Sequence, residues 1–202
     1  MLLVLPGVVC GLIGADPESA FSQAAMLPLP ARKASAPTGT QFYNLVTSAT
    51  EAVREQMILE QIAEGNVPDF LRTLKPVTAT YSGHNATYHV TADYMAIGSD
   101  ADFFRMPMSG PLAQQVADIC GATLTTRKIC NDVYTQASVK LAPFPFSPAN
   151  WDIDSVPVFW LSNQAIENQR AQASAPLGAL IAGIKKDVVV TPEFSTRPPV
   201  IC

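Results

Sequence analysis

Lys185, Lys186 and Asp187 stand together between two apolar runs, in "GALIAGIKKDVVVTP" over residues 178–192. A lysine can serve as a base or hold an anion, and an aspartate two residues along the same strand face can orient it. Gly178 and Gly183 precede the trio, so a phosphate-binding loop has to be considered. That loop needs G-x-x-x-x-G-K-S/T between a strand and a helix. Here Ile184 follows Gly183, Lys185 arrives one place late, and Lys186 with Asp187 fills the place of the magnesium-binding hydroxyl. Val188 to Val190 then call for a strand. The phosphate loop is rejected. Lys185, Lys186 and Asp187 are candidate catalytic residues at a strand mouth; the plainer alternative is the solvated start of that strand.

His84 and His89 are the only histidines. Zinc would require further ligands at suitable spacing, so no metal site is read here. His89, on the polar face of an alternating segment, is a candidate acid or base if a partner reaches it. Asp100 and Asp102 lack the remaining oxygen ligands of a calcium loop. Asn85-Ala86-Thr87 is a glycosylation sequon on a turn. The chain has no G-x-S-x-G, H-E-x-x-H, C-x-x-C or dinucleotide glycine motif, which disfavours the common serine hydrolases, zinc proteases and nicotinamide enzymes. No cofactor can be assigned.

The elements that must position these residues are legible in outline. Ser48 and Glu51 form an S-x-x-E capping pattern before a helix through "EAVREQMILEQIAEG", stopped at Gly65. Residues 76–91 alternate as an amphipathic hairpin, with "GHNA" as its turn. "DYMAIGS" adds a short strand, and Ser99 with Asp102 opens a helical "DADFFRM". Residues 109–120 and 125–138 read as two helices, with Pro111 in the first turn of one and Thr125 capping the other. "APFPFSPANWDIDSVP" is a proline and aromatic connection, and "VFWLSNQAIENQRAQ" suits a helix. The expectation is a single α+β domain over residues 42–195, with an antiparallel hairpin, several helices and a C-terminal buried strand. An Ala/Pro/Ser-rich linker over 16–41 precedes it, and a tail over 196–202 follows.

Of 202 residues, 48% are hydrophobic and 15% charged, which supports a real core. A net charge of -4 with scattered Lys and Arg argues against a nucleic-acid partner. Partners are otherwise unassigned. Residues 1–15 are apolar and uncharged, too short for a spanning helix, and read as a secretory signal ending at Ala15, although it lacks a positive start. The expected location is secreted or periplasmic, with no transmembrane helix in the mature chain. The alternative is a buried strand. Cys120 and Cys130 could close a short loop as a disulfide, or remain buried thiols, with Cys202 left over.

Four runs, "GNVPDFLRTLKPV", "VTADYMAIGSDADFFRMPM", "LTTRKICNDVYTQASVKLAP" and "LGALIAGIKKDVVV", together resemble a family of uncharacterised exported bacterial proteins. The likeness extends over residues 65–190. It implies export and similar domain limits, and a further segment rich in Tyr, Trp and His beyond the Lys-Lys-Asp strand, by which this chain is C-terminally truncated. It draws attention to Asp69, Arg72, Asp102, Arg105, Arg127, Lys128 and Asp132 among the shared charges. Arg105, Arg127 and Lys128 become candidate substrate-binding residues for an anionic group. Two functions stand open: an exported hydrolase or lyase acting on an extracellular or cell-envelope polymer, and a non-catalytic binding or structural domain using the polar hairpin face and Phe144, Phe146 and Trp151.

Overall fold

Helix starts set much of this architecture. The computed structural model describes the backbone of residues 3–5, and residues 25–184. Thr38 opens helix α1 (Gly39–Val46) with a reciprocal capping box: its hydroxyl accepts from the Gln41 N–H, and the Gln41 side chain accepts from the Thr38 N–H. Thr50, rather than Ser48, caps α2 (Glu51–Ala63) by accepting from Val53 N–H. Ser48 lies outside the helix, so Glu51 has no capping partner there. Gly65, with φ of 81°, ends the helical segment. Pro68 then leads into the short α3 (Asp69–Arg72).

The hairpin is β2 (Lys75–Tyr81) and β3 (His84–Val90), in the register Val77↔Tyr88 and Ala79↔Ala86. Its two-residue turn is Ser82-Gly83, not "GHNA". Both turn residues have positive φ (48° and 79°), matching the twist of a tight hairpin. His84 therefore opens β3 instead of lying in the turn. One face is buried at Val77, while Thr78 and Thr80 are exposed, as the alternation requires.

Strand β1 (Leu3–Leu5) lies antiparallel between β3 and β6 (Thr123–Leu124), giving the sheet order β2-β3-β1-β6. The segment expected as a secretory signal thus contributes the strand that joins β3 to β6. The expected linker also needs correction from residue 25 onward. Leu27 is buried. Arg32 donates to Asn66 Oδ1 at 2.8 Å and to the Ala36 carbonyl at 2.7 Å, and Asn66 donates to the Pro37 carbonyl. These bonds fasten the approach to α1 onto the end of α2.

A second hairpin, β4 (Ala96–Ser99) and β5 (Asp102–Arg105), replaces the helix expected at "DADFFRM". Phe103 and Phe104 are both buried, and a strand presents them on opposite faces, Phe103 against Phe70 and Phe104 against Tyr43 and Trp160. Helix α4 (Gly110–Ile119) buries Leu112, Ala113, Val116 and Ala117, and α5 (Arg127–Gln136) is capped by Thr126 rather than Thr125. Strand β7 (Val139–Lys140) pairs in parallel with β8 (Ile181–Ala182). Between them runs α6 (Val156–Gln172), with Pro157 in its first turn. The protein is a single α+β domain, with six helices and small sheets among the described residues. No helix there is long and apolar enough to cross a membrane.

The main core gathers Phe42 and Val46 of α1, Ile58 and Ile62 of α2, Ile97 of β4 and Phe104 of β5. Close backbone contact sets the seat of α1. A Cβ on Gly39 would lie 2.4 Å from the Phe103 carbonyl carbon, and one on Gly98 would lie 2.3 Å from the Asp102 carbonyl oxygen. Main chain meets main chain here, so no side chain can swing away. Gly39→Ala is expected to destabilise the domain by about 1–3 kcal/mol through overpacking, although alanine is the better helix former. Urea unfolding measures this, and an unchanged midpoint would show that α1 is free to shift.

Candidate functional site

A groove of about 440 Å³ opens where α6, the start of α1 and the β4–β5 hairpin meet. Helix α6 supplies Trp160, Asn163, Gln164, Glu167 and Asn168. These positions are spaced three and four apart and so share one side of the helix. The hairpin supplies Ala101, Asp102 and Phe103, and α1 supplies Thr40.

Beneath the groove lies a buried charge cluster. Arg105, at the end of β5, is 1% exposed. Its Nε donates to Asp93 Oδ2 at 3.0 Å, its Nη2 to Glu167 Oε1 at 2.7 Å, and its Nη1 to Asn163 Oδ1 at 3.2 Å. The backbone N–H of Arg105 also donates to Asn163 Oδ1, and Asn163 Nδ2 donates to the Phe103 carbonyl. Asn163 therefore holds β5 as a further strand would. Glu167 has a second guanidinium, since its Oε2 accepts from Arg170 Nη2 at 2.6 Å and Nε at 3.0 Å. Arg170 in turn donates to the Ala175 carbonyl beyond the helix end. The Arg105 guanidinium also sits 4.9 Å from the centre of the Phe103 ring.

Burial alone would raise the Glu167 pKa. The Arg170 hydrogen bonds and the Arg105 charge outweigh it, and the carboxyl is held below its ordinary value. Burial would likewise lower the Arg105 pKa, but the Asp93 and Glu167 carboxylates reverse that shift. Both groups are fixed in the ionised state.

Asp102 does not begin a helix of its own. From β5 it accepts from the backbone N–H of Thr40 at 3.0 Å and from the Thr40 hydroxyl at 3.1 Å. Thr40 is in the first turn of α1, where N–H groups lack helical partners and favour an anion. Asp100 does the same for α3 by accepting from Phe70 N–H at 3.2 Å. The hairpin thus caps two helices from outside, one at the groove rim. The groove wall is aromatic: Trp160 stacks on Tyr43 at 4.9 Å and meets Phe104 edge-on at 5.1 Å.

Other sequence candidates lie elsewhere. Arg105 is not open to a substrate; it is enclosed and acts by holding Glu167 in place. Arg127 and Lys128 begin α5, away from the groove residues, and Lys128 pairs with Asp132 at 2.7 Å. Asp132 also accepts from Tyr88 Oη at 2.9 Å, and burial followed by this bond raises the Tyr88 pKa. Asp69 pairs with Arg72, whose side chain donates to the Gly65 carbonyl. His89 is part-buried within β3, in register with Pro76 and Leu5. Lys185, Lys186 and Asp187 lie outside the described residues, as does Cys202. Cys120 and Cys130 are not bonded to each other. Cys120 is buried in the main core, which pushes its thiol up to about 11, while Cys130 contacts the Thr125 hydroxyl. Among the described residues no group of three or more His, Cys, Asp or Glu side chains is placed to hold a metal ion.

Sequence reasoning missed Trp160, Asn163, Gln164, Glu167 and Asn168. The signal was present in "WLSNQAIENQ": an aromatic residue followed by amides and a carboxylate at helical spacing. Comparison with protein-family models, with curated proteins and with solved structures finds no match.

The lowered Glu167 pKa links folding to protons. Its contribution is complete above the ordinary glutamate pKa of about 4.3 and is lost as pH falls through the lower folded value. Glu167→Gln should therefore flatten the dependence of stability on pH below about 4.3 relative to the parent. Denaturation midpoints across that range check this. Parallel curves would mean that the carboxylate is not held by its two arginines.

Proposed function

We propose that this is a binding domain whose ligand site is the α6 groove, in a protein acting outside the cytoplasm. The supporting observation is that both groove carboxylates are already committed as fixed acceptors. Asp102 is held by Thr40, and Glu167 by Arg105 and Arg170. A carboxylate fixed in its ionised form beside two guanidiniums is a poor proton donor at neutral pH, but a well-placed hydrogen-bond acceptor. The exposed amides of Gln164 and Asn168 add donors and acceptors, and Trp160 adds an apolar wall. A concave site with a few convergent polar groups on an aromatic base is the general form of a small-ligand pocket. Action outside the cytoplasm, as a secreted or periplasmic protein, rests on the family resemblance and on the apolar start of the chain, whose removal as a signal would take β1 from between β3 and β6.

The two tryptophans provide a test. Trp160 lines the groove, and Trp151 lies in the exposed connection before α6, packed edge-on against Phe146. Titration of ¹⁵N-labelled protein with amino acids, polyols, sugars and amines should shift the Trp160 indole signal and the Gln164 and Asn168 amide signals. The Trp151 indole should stay fixed. Shifts confined to Trp151 would place binding on the Phe144, Phe146 and Trp151 cluster and refute the groove assignment.

A further inference from the structure

Resting on the groove assignment, the structure points, we infer, to a neutral polyhydroxylated ligand, a short oligosaccharide segment, as the occupant. Charge decides against anions, and donor–acceptor pairing against cations. The cluster at and beneath the groove holds three carboxylates, Asp93, Asp102 and Glu167, against two guanidiniums, Arg105 and Arg170. An anionic ligand would meet a net negative floor. A cationic ligand could reach the same spare acceptor sites on Glu167 and Asp102, but an ammonium has donors and no acceptor. It would leave the N–H groups of Gln164 and Asn168 on the groove wall without a partner.

Hydroxyl groups meet both kinds of partner, since each donates and accepts. Each carboxylate oxygen has more than one acceptor site. Among the described residues, Glu167 Oε1 accepts from Arg105 alone and Asp102 Oδ2 only from the Thr40 N–H, so each can accept a ligand O–H while keeping its present donor. The Gln164 and Asn168 side chains lie one helical turn apart and are exposed. Each amide offers a donor and an acceptor, which suits the paired donor–acceptor character of neighbouring hydroxyls. Thr40 adds a hydroxyl oxygen at the rim. Trp160, half-buried with Tyr43 stacked against its ring, offers apolar surface to the C–H groups of a sugar ring, whereas Phe103 is buried against Phe70 and the Arg105 guanidinium. The fixed carboxylates and the amides beside them choose for hydroxyl pattern, and the Trp160 ring chooses for a sugar ring.

The test uses the full chain and defined probes: cello-, chito-, malto- and xylo-oligosaccharides, with spermidine and a hexalysine peptide as cationic controls. Binding is read by calorimetry and by the two indole signals. At least one neutral oligosaccharide should bind and shift Trp160, with weak dependence on salt. Gln164→Ala with Asn168→Ala should weaken it about tenfold or more while leaving the thermal midpoint within a degree or two, because both side chains are exposed. Binding of spermidine or hexalysine at Trp160 without any saccharide binding would overturn the ligand class and leave the groove assignment standing. Saccharide binding that shifts only Trp151 would overturn both. A panel in which no oligosaccharide binds would overturn the inference.

Discussion

The buried guanidinium of Arg105 is the constraint on which the groove depends. A charge enclosed to this degree is tolerated only when paired and fully hydrogen-bonded. Its partners come from three parts of the chain: Asp93 before β4, Asn163 and Glu167 on α6, and the Phe103 ring on its own strand. Satisfying one side chain therefore brings α6 onto β5 and fixes the angle at which α6 meets the hairpin. Asp93 is itself held, since its Oδ1 accepts from the Tyr94 N–H. The pairing sets geometry more than it adds net stability, because desolvation of both ions offsets much of their attraction.

A second constraint acts at the opposite wall. Glycine at 39 and 98 lets the first turn of α1 rest on hairpin backbone, and Asp102 then reaches the unpaired N–H of Thr40. One short hairpin thus supplies a charge clamp at its end, a helix cap at its turn and an aromatic surface between them. The groove is the space left between the two elements so anchored. Its chemistry follows from the fixing: Glu167, held ionised by Arg170 and Arg105, can accept from a ligand but is a poor proton donor at neutral pH.

Much of the fold was legible where a single periodicity governs. The alternation of β2 and β3, the α2 pattern and the helices at α4, α5 and α6 follow from apolar spacing and caps within each segment. The errors came where distant residues supply the missing partner. Ser99 and Asp102 have the spacing of a local capping pair, but Asp102 caps α1 instead, and its neighbour Asp100 caps α3. Residues 25–37 carry a linker composition, yet Arg32 and Asn66 tie them to the core. The site shows the same limit. Arg105 was singled out, but as a ligand contact, because sequence carries no record of burial by Asp93 twelve residues away and Glu167 sixty-two residues away. The polar and aromatic stripe of α6 was readable at helical spacing, and its pairing with the β4–β5 hairpin was not.

The most direct measurement is a double-mutant cycle between Asp93 and Arg105, using Arg105→Met, Asp93→Asn and both together, followed by chemical denaturation. Arg105→Met alone leaves a buried carboxylate without its partner and should cost about 3–5 kcal/mol. Adding Asp93→Asn removes that stranded charge, so the double variant should be more stable than Arg105→Met alone and should show strong coupling. A cost below about 1 kcal/mol for Arg105→Met, with additive effects, would contradict the account. The guanidinium would then not be the element that holds α6 to the hairpin.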